Sequence, residues 1–474
     1  MIQVEANECV VSEAGVQVNG CAVSELDVQA AQRMIDFVSE CPSMFHTVAA
    51  LRQRLDAAGF TYVPEGQRWN VERGGTYYTV RNNSSLIAFR VGGKLDSYHF
   101  QLTAAHSDSP TYKVKAVPEL AGPAQYLRLN VEAYGGVMDH TWFDKPLSVA
   151  GRVLVREGNR LVSRLYAPDN DLLIIPRVPI HLDHQANAGF APNRAVDLCP
   201  LFSAGALKRG AFDAMVAEDL GVAVENVEAR DLFLVNRQQP RVWGRANEFV
   251  SAPRLDDLGC VFISLEAFLA ASNPHDVSVF CCFDNEEVGS NTKQGAMSTF
   301  LRGTLERLNG ALGFAVEDLR CALAKSMLVS CDNAHAVHPN HPERYDECNR
   351  VQLNRGLVVK EAANQKYCTD AFSRAVFCAL CADAGVPLQA YANRSDMPGG
   401  STLGNLSNMQ VSMHGVDVGL PQLAMHSSYE TAGVADVRLG TRALQAFSRL
   451  MCASMVPTRQ CSPRGWRKSQ RFRT

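Results

Sequence analysis

No run of apolar residues in this 474-residue chain approaches the roughly 20 needed to cross a bilayer, so no membrane-spanning helix is expected. The first fifteen residues, "MIQVEANECVVSEAG", lack the basic stretch followed by an apolar one that marks a secretory signal. Neither sign of charge is in excess. Lys plus Arg number 46 and Asp plus Glu 49, a net charge of −3, which leaves no electrostatic footprint for nucleic acid. No internal repeat is visible. The 15 cysteines form no disulfide framework: they are scattered, odd in number and often inside apolar stretches such as "FCCF" and "FCALCA". They read as reduced, buried thiols of a cytoplasmic protein. Cys378 and Cys381 have C-x-x-C spacing, but no second pair follows at zinc-ribbon distance, so no structural zinc is expected there. The Gly-rich stretch "RSDMPGGSTLG" has no Gly-Lys-Ser/Thr after it and is not a phosphate-binding P-loop.

What is present is ordinary in bulk and unusual in places. Apolar residues are 46% and charged residues 20%, as in globular proteins. The length implies two or three domains, or one large α/β domain with an insertion. Residues 1–26 lack periodicity and read as an arm. "DVQAAQRMIDFVSEC" and "FHTVAALRQRLDAAG" have helical spacing, with Ser43 placed to cap the second. Between about 112 and 235 short alternating runs dominate ("YLRLNVEAY", "SVAGRVLVR", "RLVSRLYA", "DLLIIP"), punctuated by Gly and Pro, and predict a β-rich insertion. From 236 strands and helices alternate: "DLGCVFISLEAFLAA" as helix, "VSVFCCF" as strand, "TFLRGTLERLNGAL" as helix, "KSMLVSCD" as strand, "TDAFSRAVFCALCADAG" as helix. The fold class expected is α/β, a mixed, mostly parallel sheet sandwiched by helices. The basic stretch 457–474 reads as a disordered tail.

The apolar strand "VSVFCCF" runs straight into "DNEEVGS", three acids within four residues (Asp284, Glu286, Glu287) and no base nearby. Neighbouring carboxylates repel, so positive charge must come from elsewhere in the chain or from a ligand. Other apolar runs finish the same way: "LTAAHSDSP" in His106 and Asp108, "LVSCDNAHAVHPN" in Asp332, "QLAMHSSYE" in His426. "SAPRLDDLG" sets Asp256 and Asp257 just before a helix. Singly, each is better read as a turn, a cap or a solvated face. Five together point to one crevice, because ligands of open α/β sheets bind beyond the carboxyl ends of the strands. Carboxylates and imidazoles without thiolates suit zinc, manganese or cobalt in a hydrolytic site.

Together "HSDSP", "TWFDKPLSVAGRV", "APRLDDLG", "DNEEVGS", "DNAHAVHPN" and "GLPQLAMHSSYE", in this order, resemble the M18 metallo-aminopeptidases, the aspartyl aminopeptidase and aminopeptidase I type. The likeness runs from about 28 to 450. It implies a catalytic domain over 27–111 and 236–456, with 112–235 as a dimerisation domain. It implies two zinc ions per chain, replaceable by cobalt or manganese: His106 and Asp332 on one, Glu287 and His426 on the other, Asp256 bridging. Asp108 would orient His106, and Glu286 would be the general base. His335 and His338 would line the substrate pocket. Lys360, in "GLVVKEA", would face an acidic substrate side chain, and His181, in "PIHLDH", would reach a neighbouring subunit's site. The function implied is a cytoplasmic aminopeptidase acting on peptides, preferring N-terminal Asp or Glu, in dimers assembled as a tetrahedral dodecamer. The alternatives are a broad neutral aminopeptidase, a related dimetal amidase, or a catalytically dead assembly or cargo protein. Asp257 departs from the Asn, and Ser107 from the Thr, common in the family.

Overall fold

The computed structural model of the protein describes residues 23–449. Its main sheet has nine strands, in the order Thr61–Tyr62, Thr76–Arg81, Ser85–Val91, Val277–Phe283, Phe100–His106, Met327–Cys331, His414–Gly419, Leu357–Glu361 and Leu388–Ala392. The four strands at its centre, Val277–Phe283 to His414–Gly419, run parallel. Antiparallel pairing enters on either side, through Ser85–Val91 and through Leu357–Glu361. The sheet is covered on both faces, which is why its strands are apolar throughout rather than alternating. In Val277–Phe283, Phe280 and Cys282 pack into the core shared with the helices Leu255–Ala270 and Val434–Phe447. Val277, Val279, Cys281 and Phe283 pack on the opposite face with the helix Phe300–Ala311. Burying a side chain such as Phe280 contributes about 1.5–3 kcal/mol. Cys260, Cys281, Cys282 and Cys331 are free thiols sealed into these two layers.

Local signals place the first helices. Glu25–Glu40 opens with a reciprocal cap: Asp27 N donates to Ser24 Oγ at 3.3 Å and Ser24 N to Asp27 Oδ2 at 2.9 Å. Ser43 stands at the start of Met44–Ala57, but its hydroxyl pairs with His46 Nδ1 at 2.8 Å and caps no amide. The arm expected over 1–26 lies outside the described residues up to residue 22, and Glu25 and Leu26 are already helical. The tail 457–474 lies outside them entirely. No helix among the described residues is long and apolar enough to cross a membrane.

Between the strand ending in His106 and the helix beginning at Leu255, the chain builds a second, antiparallel sheet. Its order is Arg160–Tyr166, Leu147–Glu157, Val227–Asn236, Thr111–Ala121, Leu127–Tyr134 and Leu201–Ser203. The helix Ala211–Asp219 packs Phe212 and Val216 onto it. The run "DLLIIP" forms no strand here: Leu173 and Ile174 make single bridges to different strands, and Pro176 has no amide with which to continue. A third sheet of five short strands, Arg241–Trp243, Phe249–Ala252, Glu430–Gly433, Pro421–Leu423 and Ala334–His335, lies beside the ends of the parallel strands.

Candidate metal centre

Three neighbouring parallel strands deliver the chemistry to one edge. His106 is the last residue of its strand and pairs with Phe283, the last of the next. Glu286 and Glu287 therefore follow immediately beside it, and Asp332 follows Met327–Cys331 on the other side. Asp256 comes in on the first turn of Leu255–Ala270, where its backbone (ψ 107°) is not helical. His426 follows the third sheet's strand Pro421–Leu423 in a left-handed conformation (φ 66°).

These side chains converge. Asp256 Oδ1 lies 3.4 Å from His106 Nε2, and Asp256 Oδ2 lies 3.7 Å from His426 Nε2. Glu287 Oε2 lies 3.5 Å from the same His426 nitrogen. Ligand atoms of His106, Asp256, Asp257 and Asp332 all fall within 4.8 Å of one another, as do those of Asp256, Glu287 and His426, and those of His106, Glu286 and Glu287. Asp256 Oδ1 and Glu287 Oε1 are buried without a hydrogen-bond partner. Orphaned carboxylate oxygens opposite imidazole nitrogens form a donor set suited to a divalent cation.

An outer ring of buried acids fixes this geometry through the main chain. The His106 Nδ1–H donates to the Asp108 carbonyl at 3.0 Å, with the Asp108 carboxylate 3.4 Å away, so Nε2 is presented bare to the centre. The Asp108 carboxylate itself accepts the amides of Glu286 (3.1 Å) and Glu287 (3.2 Å). Glu430 accepts the amides of His426 (2.7 Å) and Asp256 (2.9 Å). Asp257 accepts that of His106 (3.1 Å). Asn285 takes a left-handed turn (φ 64°), uncommon for a residue with a side chain, and from it Glu286 and Glu287 diverge.

The electrostatics are those of a site short of positive charge. Burial pushes Glu286 up to about 8; His106 opposes this, and Asp332, Asp108 and Asp256 add to it. Burial likewise lifts Glu287 well above the carboxylate range. Burial and the neighbouring Asp108 take Asp284 to about 7. For His106, burial works against the charge, but Asp257, Asp108 and Asp256 outweigh it and hold the imidazole well above its usual value. The open cleft over the centre has a volume of about 350 Å³ and is lined further out by Tyr367, Tyr391, Thr402 and Met425. A second, much tighter pocket of about 30 Å³, behind Asp256 and walled by Trp142, Phe233 and Arg254, contains neither histidine nor Glu286 and is not the reaction site.

The family model described as "Aminopeptidase I zinc metalloprotease (M18)" matches residues 37–448. The chain belongs to the M18 aminopeptidase family. It is similar to a probable M18 family aminopeptidase 2 of Clostridium novyi (strain NT), 41% identical over 429 residues, 89% of this chain and 99% of the relative. Among solved structures it is similar to that of the Ape4 and Nbr1 complex (34% identity, TM-score 0.85, 90% of this chain and 86% of that one). It is also similar to the S. cerevisiae mApe1 dodecamer (27% identity, TM-score 0.80, 90% and 97%). As an M18 aminopeptidase the protein is a metallopeptidase, a hydrolase of a zinc family.

Within this M18 aminopeptidase the remaining candidates fall in different places. Lys360 lines the cleft but is buried beneath Asp332: Nζ donates to the Asp332 carbonyl at 2.7 Å and the Asn333 carbonyl at 3.2 Å, and lies 3.6 Å from Asp332 Oδ1. Burial opposes its charge, but Asp332 more than compensates and keeps it cationic. His335 lines the cleft with its ring open to it, yet burial and then Lys360 push its imidazole down to about 4. His338 does not line the cleft; it stands by His341, ring centroids 5.1 Å apart. His181 is exposed on a turn outside this cleft. Sequence reasoning passed over Glu430 and Tyr134, whose hydroxyl donates to Asp108. Glu430 had a signal, an acid closing "HSSYE". Tyr134 had none, since nothing local marks a tyrosine that bonds 26 residues away.

Proposed function

We propose that this M18 aminopeptidase hydrolyses the N-terminal peptide bond at a dizinc centre and prefers N-terminal Asp or Glu. The observation that carries the two-ion reading is Asp256, whose two oxygens are turned to two different imidazoles, His106 and His426. His106 and Asp332 would hold one ion, Glu287 and His426 the other, and Asp256 would bridge. Cobalt or manganese suits the same donors. When bound, such ions polarise the scissile carbonyl and acidify a water. Glu286, beside His106 and on the open side of the centre, takes the proton of the attacking water and delivers it to the leaving amine. Asp108 holds the Glu286 amide and so the direction of its carboxylate.

The acidic preference is supported by Lys360, a permanent cation in the cleft wall. A specific observation favours the broader reading, a neutral aminopeptidase or related amidase: two of the three N–H groups of Lys360 are committed to main-chain carbonyls. Hydrolysis rates on Asp-, Glu- and Leu-anilides separate the two. The acidic reading expects kcat/KM on Asp and Glu at least about tenfold above Leu, the worth of one good charge-assisted bond. A preference for Leu removes it. Elemental analysis near two zinc per chain supports the centre; none after careful purification supports a dead homologue. We further propose a cytoplasmic enzyme, in keeping with the free thiols among the described residues. We propose that residues 112–235 form the dimerisation domain of a tetrahedral dodecamer, in which the exposed His181 reaches a neighbour's cleft. The dodecameric relative supports that assembly.

A further inference from the structure

The second sheet touches the centre through consecutive residues at the end of its strand Leu127–Tyr134. Tyr134 Oη donates to Asp108 Oδ2 at 2.7 Å and accepts from Asn285 Nδ2 at 2.8 Å. Gly136 O accepts from His426 Nδ1 at 3.0 Å, and Met138 N donates to His426 O at 3.2 Å. Between them Gly135 (φ 77°) passes so near Glu287 that a Cβ there would sit 3.0 Å from Glu287 Cβ. A Cβ on Gly136 would meet His426 Nδ1 at 3.0 Å.

We propose that the segment Tyr134–Gly136 of the second sheet is a positioning strap for the metal centre: Tyr134 holds the carboxylate from which the Glu286–Glu287 turn hangs, and Gly136 sets the ring of His426. The proposal rests on the reading of Glu286 as base and of Glu287 and His426 as ligands. Asp108 Oδ2 receives two donors, the Tyr134 hydroxyl and the Glu287 amide, while Oδ1 receives the Glu286 amide. Without the hydroxyl the carboxylate loses the shortest side-chain contact described for it, and Asn285, at the strained turn, loses its acceptor. Tyr134 is braced in turn by an edge-to-face contact with Phe233 of the same sheet (centroids 5.4 Å, 76°). The hydroxyl's position is thus set by the second sheet and read out at the turn that carries the base. Gly136 does the same for His426: its carbonyl takes the Nδ1 proton and leaves Nε2 bare toward Asp256 and Glu287. Tyr134 touches no reacting atom and is a positioning residue.

The test begins with the wild type and Glu286→Gln. Turnover in the first and its loss in the second, with metal content kept, establish Glu286 as base; equal turnover in both refutes that reading without touching the strap. Tyr134→Phe should then lower kcat about 10–100-fold, the usual cost of removing a partner one bond behind a metal site. KM should stay within about twofold, the split expected when only transition-state alignment is lost. Metal content should match the wild type and the protein should stay fully folded at the assay temperature, its thermal midpoint lower by no more than the loss of one buried hydrogen-bonding group. An unchanged kcat, or a fall that follows lost metal or lost folded protein, overturns the role of Tyr134. Gly136→Ala should raise the dissociation constant for Co²⁺, followed by visible absorption, about 10–100-fold. An unchanged constant overturns the role of Gly136, whatever the activity.

Discussion

Glu286→Gln is expected to keep the metal and the fold while lowering kcat about 10²–10⁴-fold, the range for loss of a general base. The substitution is nearly isosteric. The residue's amide still donates to Asp108 at 3.1 Å, so the side chain keeps its direction and loses only its capacity to accept a proton. It also removes one of several mutually repelling buried carboxylates, since Asp332, Asp108 and Asp256 all raise Glu286. The thermal midpoint should therefore hold or rise. Single-turnover kinetics on an aminoacyl anilide, with metal content measured on the same sample, reads the result. Unimpaired turnover ends the assignment of Glu286 as base; loss of metal would make it a ligand instead.

Stripping the metal with a chelator should abolish turnover and leave a protein whose stability depends on pH in a particular direction. In the metal-free fold Glu286 sits at about 8 against an ordinary value of 4.5, and Glu287 and Asp257 lie well above theirs. His106 also lies well above 6.5. Groups raised on folding bind protons more tightly in the native state, so their contribution is full below the unfolded values and is lost as pH rises through the folded ones. For Glu286 that window is about pH 4.5 to 8. Asp256 is lowered and acts in the opposite sense, but below 3.8 and outside the window; His335 and His46, pushed down to about 4 by burial, also oppose the trend, between about pH 4 and 6.5. The thermal midpoint of chelated protein should thus fall most clearly between about pH 6.5 and pH 8, and added zinc should flatten the slope by supplying the charge that protons otherwise supply. A flat or rising profile without metal would mean that the acids do not face one another as described.

Much of the fold was legible because its central strands are long and apolar on both faces: "VSVFCCF" can hardly be anything but a buried strand, and it spans Val277–Phe283. The third sheet was not legible, since strands of two to four residues such as Ala334–His335 and Glu430–Gly433 show no period. At the site, acids and imidazoles at strand ends were conspicuous, and the fold does bring His106, Asp256, Asp332, Glu287 and His426 together. What supports them was hidden, because it is main chain or far away. Position alone puts Asp108 next to His106. The contact at 3.0 Å is made by its carbonyl, while its carboxylate spans to amides 178 and 179 residues on. Glu430 grips the amide of Asp256 across 174 residues. Lys360 was visible only as a cation in an apolar strand; that its ammonium is tied under Asp332 is a fact of packing.

The sealed thiols give the molecule a clock of its own. Cys331 directly precedes Asp332, Cys282 lies in the strand that ends at the glutamate turn, and Cys260 is one helical turn beyond Asp256. An alkylating reagent meets them only when those strands and that helix part, so the pace of labelling counts excursions of the very elements that carry the ligands. Ions that hold the native arrangement must slow that pace in proportion to their occupancy.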